Sequence, residues 1–243
     1  MQLNILSAGA AQGVVMALAK AFKSQTGVDI NASFGAVGAM RAKLLAGDAC
    51  DVIILTQTQI AELATDGRVF ADSAADLGTV RTGVAVPAGD PLPDVSNAAG
   101  LRSALLAADG IYFPDAVKAT AGIHFAKVID TLGIRGAIGA RLRTFANGAT
   151  AIGAMVEDSQ HINGKKLRLF GCTQVTEINN TPGAVLVGAL PKEFELATVY
   201  SVGVCIGTTS NAIDAARQFA RMLTAENSRA IRASAGYEFP AAI

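Results

Sequence analysis

Residues 3–7 form a short apolar stretch of strand length, and the small-residue turn Ala8-Gly9-Ala10-Ala11-Gln12-Gly13 follows it. Beyond the turn the apolar period changes. Val14, Leu18 and Phe22 recur every four residues, which predicts a helix with one buried stripe. Gly27 stops it, and residues 28–34 alternate like a strand. A second glycine turn, Gly35-Ala36-Val37-Gly38, opens a helix carrying Met40, Leu44 and Leu45, and Gly47 ends that helix. Asp51-Val52-Ile53-Ile54-Leu55 is a continuous apolar run suited to the middle of a parallel sheet. Thr56 begins the next turn, and Ile60, Leu63 and Ala64 predict a third helix. Three strand–helix units in succession predict an α/β fold with a parallel sheet covered on both faces. The turns at 8–13, 35–38 and 56–59 should then converge at the carboxyl ends of the strands.

At 79–86 the pattern becomes a long strand, followed by the proline-rich loop 87–93. A second alternating unit comes next. It has a helix at 97–108, a strand at 111–113, a turn through 114–120 and a helix at 121–132. A helix at 150–158, a strand at 167–172 and an apolar stretch at 184–187 complete it. A long strand at 196–206 leads to two terminal helices, the first with Ile213, Ala216, Phe219, Ala220 and Leu223 at helical spacing and the second over 226–234. The two long strands read as crossings between two lobes, 1–83 with 205–243 and 84–204. Two crossings make a hinge, and closure of such a hinge on a ligand in an interlobe cleft is a recurring motion.

Composition narrows this picture. The 243 residues are 51% hydrophobic, which excludes a disordered or fibrous chain. The 20 basic residues cancel the 20 acidic ones without a block of either sign, so no nucleic-acid partner is expected. Any anion must be caught by local geometry, because no overall positive field would draw it in. No apolar run approaches the roughly eighteen residues of a membrane span, so no membrane insertion is expected. The start runs directly into a strand with no leader visible; the expectation is a cytoplasmic protein as written, or a periplasmic one if a leader has been removed. Cys50, Cys172 and Cys205 lie far apart with apolar neighbours and read as buried structural thiols. His124 and His161 are equally separated, which speaks against zinc. The chain has no phosphate-binding lysine loop, nucleophile elbow or dinucleotide glycine fingerprint, so no cofactor is expected.

Several landmarks occur in a telling order: Thr26-Gly27-Val28-Asp29; Ser33-Phe34-Gly35-Ala36-Val37-Gly38 before Lys43-Leu44-Leu45-Ala46-Gly47-Asp48; Thr120-Ala121-Gly122-Ile123 after Asp115; and Ala235-Gly236-Tyr237-Glu238-Phe239 near the end. In this order the chain resembles the molybdate-binding subgroup of the type II periplasmic solute-binding proteins. The resemblance implies a two-lobed α/β fold, a small anionic ligand and, if the protein is exported, an ABC transporter permease as partner. It also implies a serine where this chain has Ala10 and another hydroxyl around Ala36-Val37. It implies backbone amide donors near Ala121-Gly122 and a tyrosine near Gln174. Both hydroxyls are absent, which favours a ligand other than molybdate.

Helix starts after small-residue turns suit anions, because the first N–H groups lack internal partners and carry partial positive charge. The candidate ligand set is therefore Gly9, Ala10, Ala11, Gly35, Ala36, Val37, Gly38, Thr56, Ala121, Gly122 and Ala149. Arg41 joins it as a planar clamp for a carboxylate; Lys43 and Lys118 read as surface cations. Gln174 and Thr176 alternate with Val175, which in a strand would point both into the cleft. Asn147 and Thr150 read as caps. Residues 183–191, with Phe194 and Thr198-Val199-Tyr200-Ser201, resemble the aconitate isomerases of this fold. That resemblance implies a second function, a cofactor-independent isomerase of an unsaturated polycarboxylate, with His124 or Glu177 as its base.

Overall fold

A computed structural model describes residues 1–159 and 167–240; His161 lies outside the described residues. The chain divides into two compact units, Met1–Val80 with Thr198–Ile243, and Arg81–Ala197. In the first unit, β1 (Gln2–Ala8) passes through one 3-10 turn, Gly9–Ala11, into α1 (Gln12–Thr26). Next come β2 (Asp29–Gly35), α2 (Val37–Leu45), β3 (Val52–Thr56) and α3 (Gln57–Thr65). Strand β4 (Ala75–Pro87) carries the chain into the second unit.

That unit contains α4 (Ala98–Ala107), β5 (Gly110–Pro114), α5 (Thr120–Thr131) and α6 (Arg135–Ile138). It continues with β6 (Leu142–Phe145), α7 (Gly148–Ser159), β7 (Leu169–Gln174), α8 (Val175–Asn179) and β8 (Ala184–Ala189). Strand β9 (Ala197–Val204) returns to the first unit, which α9 (Ile213–Thr224) and α10 (Arg229–Ala235) complete.

In the first unit β1 pairs in parallel with both β2 and β3, while β9 runs antiparallel along the other side of β3. The sheet is therefore mixed, and the apolar strand β3 is covered on one side by a strand of opposite direction. Local periodicity gives no warning of this, because β9 arrives from about 150 residues later. The register places Ala8 opposite Gly35 and Ser7 opposite Ile54. The three turns that follow β1, β2 and β3 thus lie together at one sheet edge. Below them Phe22 of α1 meets Phe219 of α9 edge-on, with ring centroids 4.9 Å apart.

In the second unit β7 pairs in parallel with β5, β5 with β6, and β4 runs antiparallel beside both β7 and β8. Alternation along β5 sends Ile111 and Phe113 to one face, with Phe125 of α5, and Tyr112 to the other, with Ile152 and Met155 of α7. Strands β5, β6 and β7 all end at the same edge, Pro114 opposite Phe145, and α5, α7 and α8 begin there. Strand β6 and the single-turn α6 have no counterpart in the hydrophobic pattern, since both are short and largely exposed. The expected terminal helix over 226–234 is instead a 3-10 turn, Glu226–Ser228, running into α10.

Candidate anion site

The first-unit edge gathers Gly9, Ala10, Ala11, Gly35, Ala36, Val37, Gly38 and Thr56. All but Gly38 and Thr56 are buried. Helices α1, α2 and α3 begin after Ala11, Ala36 and Thr56, and none of these residues caps its helix with a side chain. None of the three helices has an acidic residue in its first turn. The Gln12 amide donates to the Gly9 carbonyl, because α1 continues the 3-10 turn before it, whereas the leading amides of α2 and α3 keep the donor capacity that capping normally absorbs. Tyr237 lies buried beneath this edge and its hydroxyl donates to the Ala10 carbonyl at 3.2 Å, fixing the first turn.

At the second-unit edge α5 starts the same way, after Ala119 and without a side-chain cap or first-turn acid. Ala121 and Gly122 are buried in its first turn. A Cβ on Gly122 would stand 2.2 Å from the Pro114 carbonyl and 2.3 Å from that of Asp115. Glycine is needed there so that the helix can start hard against the end of β5. The upstream turn is held by Asp115, whose carboxylate accepts from the amides of Val117 and Lys118 at 2.7 and 2.9 Å. These hydrogen bonds hold its carboxyl below the usual carboxylate range.

Other long helices are served differently. Asn97 caps α4 by accepting from Gly100 at 3.0 Å, and α9 carries Asp214 in its first turn. Asn147 caps α7, accepting from the Thr150 amide and hydroxyl, both at 2.9 Å. The same helix start receives Glu177. Its carboxylate is buried, accepts from the Thr173 hydroxyl at 2.6 Å, and takes amide hydrogens from Ala149, Gly148 and Gln174. Burial pushes the Glu177 carboxyl above its ordinary value, against the downward pull of these four donors. A Cβ on Gly148 would fall 2.0 Å from both Glu177 Oε2 and Thr173 Oγ1, so the carboxylate seat exists only with glycine there.

This arrangement corrects two expectations. The Ala149 amide is already engaged by Glu177. Glu177, surrounded by donors, is built as an internal anchor of α7 rather than as a free base. Gln174 and Thr176 do not alternate along one strand as expected, because β7 ends at Gln174 and Thr176 lies in α8. The chain turns helical there because Glu177 reaches back to the Gln174 amide, the first donor of that turn.

The two side chains nonetheless share buried polar atoms that lack partners. Gln174 is 3% exposed and Thr176 4%, and Gln174 Oε1, Gln174 Nε2 and Thr176 Oγ1 are all buried without a hydrogen-bond partner. Thr82, paired with Gln174 across β4 and β7, has an unpartnered buried hydroxyl as well. A native fold pairs most such groups, and each one left unpaired costs about 1–3 kcal/mol. Thr82 is absent from the sequence-derived set, since only the strand register places it beside Gln174.

Two other candidates each sit one turn into a helix, Arg41 in α2 and His124 in α5. Arg41 sits in the second turn of α2, and the carboxylate it meets is the protein's own: Nη2 stands 3.2 Å from Glu62 of α3. Lys43 pairs with Asp48 at 3.6 Å. His124 is half-buried one turn into α5, with Nε2 2.8 Å from the Phe194 carbonyl. A carbonyl only accepts, so Nε2 is the donor. No group of three or more potential metal ligands occurs among the described residues. No helix among them is long and apolar enough to cross a membrane.

A family profile described as "Bacterial extracellular solute-binding protein" matches residues 3–238. The chain belongs to this family. It is 26% identical over 205 residues to an aconitate isomerase from a Pseudomonas species, covering 82% of this chain and 74% of that protein. Its fold matches the periplasmic molybdate-binding protein of Azotobacter vinelandii with a TM-score of 0.76, at 20% identity over 98% of this chain and 99% of that one. It also matches PEB3 of Campylobacter jejuni in its L-phospholactate-bound structure, with a TM-score of 0.67 at 15% identity over 98% and 99% of the two chains. The fold is that of the type II periplasmic binding proteins, as the order of the sequence landmarks implied.

The raised Glu177 carboxyl makes a prediction about pH. A carboxyl whose folded pKa exceeds its unfolded value favours folding at low pH and loses that contribution as pH rises through the folded value. Urea unfolding at a series of pH values should show stability declining from the ordinary glutamate pKa upward, until Glu177 is ionised in the folded protein. In Glu177→Gln that decline should shrink; an unchanged slope would remove Glu177 as its source.

Proposed function

We propose that this solute-binding domain binds a small organic acid, and that the unpartnered amide of Gln174 selects it. The side chain offers one donor and one acceptor, both buried and both unpaired. A fully deprotonated oxyanion such as molybdate presents acceptors alone and would leave Gln174 Oε1 unsatisfied. An acid carrying a hydroxyl or protonated carboxyl beside a carboxylate can meet both atoms, and the hydroxyls of Thr82 and Thr176 can serve either role. The first-turn amides of α5 would neutralise the carboxylate in this unit. The uncapped starts of α2 and α3 offer donors of the same kind within the first unit. Ala10 and Ala36, where molybdate binders are expected to carry hydroxyls, support the same choice. Arg41 is paired with Glu62, and the observation that carries the carboxylate preference is the unpartnered Gln174 side chain. Membership of an extracellular solute-binding family supports delivery of the ligand to an ABC transporter permease as the role of binding.

A second reading, isomerisation of an unsaturated polycarboxylate, is favoured by His124. A ring oriented by the Phe194 carbonyl through Nε2 keeps Nδ1 available as a base. The reaction would take a proton from one carbon, shift the double bond and return the proton to another carbon. Helix-start amides would hold the enolate-like charge between the two transfers. The aconitate isomerase relative supports this reading.

Two experiments separate the possibilities. In a thermal-shift screen across molybdate, sulfate, phosphate and di- and tricarboxylates, hydroxy- and polycarboxylates should raise the melting temperature. Gln174→Leu should weaken that binding about tenfold or more, whereas selective stabilisation by molybdate would contradict the proposal. Incubation with trans-aconitate, followed by proton NMR, should show isomer formation that His124→Gln abolishes while ligand stabilisation persists. A ligand that binds without conversion in the unaltered protein would sink the isomerase reading and leave a receptor.

A further inference from the structure

Cys50 and Cys205 are separated by 155 residues, yet their sulfurs lie 3.5 Å apart within the first unit. The topology brings them together. Strand β9 runs antiparallel to β3 with Val204 opposite Val52, and the Cys205 amide donates to the Asp51 carbonyl at 2.9 Å, which sets Cys205 beside the residue after Cys50. Cys205 is 2% exposed, whereas Cys50 is half-buried at the surface end of the pair. Both remain thiols in this structure. Closing the gap to a bond of about 2.05 Å requires the sulfurs to approach by about 1.5 Å, a displacement within reach of side-chain rotation.

We propose that Cys50 and Cys205 are a thiol–disulfide pair, a dithiol in reducing surroundings that closes to an intramolecular disulfide on meeting a small disulfide oxidant. Cys50, the sulfur that solvent reaches, attacks the external disulfide. A mixed disulfide forms on Cys50 and one external thiolate leaves. The Cys205 sulfur then attacks Cys50 Sγ, its proton passing to the medium, and the second external thiolate departs. One protein S–S bond and two external thiols replace two protein S–H bonds and one external S–S bond. In the dithiol form Cys205 donates its hydrogen toward Cys50, which with burial holds its pKa well above the ordinary thiol value. This fits Cys205 as the resolving partner rather than the first nucleophile.

The bond would join the two separate segments that make up the first unit, Met1–Val80 and Thr198–Ile243, across the whole intervening unit. Cross-linking over so long a loop restricts the unfolded chain, so the oxidised protein should be the more heat-stable form. The pair lies at the start of β3, the opposite end of that strand from Thr56 and the candidate site. Closure should therefore leave ligand binding unchanged. Cys172, buried in the core of the second unit, is an internal control.

The test uses the full chain with mixtures of reduced and oxidised glutathione. After oxidation and denaturing quench, titratable thiols should fall from three to one, and the intact mass should drop by two hydrogens. Peptide mapping should link Cys50 to Cys205, and the melting temperature should rise by several degrees and fall back with reductant. Cys50→Ser, a change at the solvent-reached member, should keep both remaining thiols and show no such rise. Three free thiols in the natively treated protein, a link to Cys172, or a bond between two chains would each overturn the proposal. Mapping on the unaltered protein decides the matter even if the variant folds poorly.

Discussion

A helix start cannot be left unserved without cost, and the way each start is served organises this molecule. Its first amides point along the axis with no internal acceptor, and the aligned peptides add partial positive charge. Helix α4 spends this capacity on Asn97, and α7 on Asn147 and the buried carboxylate of Glu177. Helices α1, α2, α3 and α5 spend it on no side-chain cap. Small residues keep those ends close to the sheet edge, and in α5 the close approach to Pro114 admits only glycine at 122. The strand order then collects the uncapped starts, three at one edge of the first unit, while α5 shares its edge with Gln174 in the second.

Glu177 shows what a filled start looks like. Its carboxyl group accepts from two amides of α7, from the Gln174 amide at the end of β7 and from a threonine hydroxyl, and glycine at 148 makes room for it. Amide donors at this edge thus hold a carboxyl group of the protein's own, Glu177. It also removes Ala149 from the set available to a ligand. The polar groups that remain, on Thr82, Gln174 and Thr176, are buried and unpaired.

Much of this was legible in the sequence. The period-four stripe of Val14, Leu18 and Phe22 and the glycine turn at 35–38 identify α1, β2 and α2 almost to the residue. Alanine at the cap positions of α1, α2 and α5 marks those uncapped starts, whereas α3 gives no such sign, since Thr56 stands at its cap position without capping it. What escaped was every feature that depends on distant pairing. Strand β9 beside β3, Thr82 beside Gln174, and Cys205 against Cys50 all depend on register between segments roughly 90 to 155 residues apart. Nothing local shows that Glu62 on the next helix meets the Arg41 guanidinium. Gln174 and Thr176 do not lie on one alternating strand, because β7 ends at Gln174 and Thr176 belongs to α8. Their burial rests instead on the first turn of α8.

The central contact is that of the ligand with the start of α5 and the Gln174 amide. The most direct measurement is a nitrogen–proton correlation NMR titration of the isotope-labelled protein with a tricarboxylate. Saturable shifts are expected in the backbone amides of Thr120, Ala121 and Gly122 and in the side-chain NH2 of Gln174, while the Ala149 amide, held by Glu177, keeps its position. Saturable binding that leaves the α5 amides and Gln174 unmoved would contradict that contact.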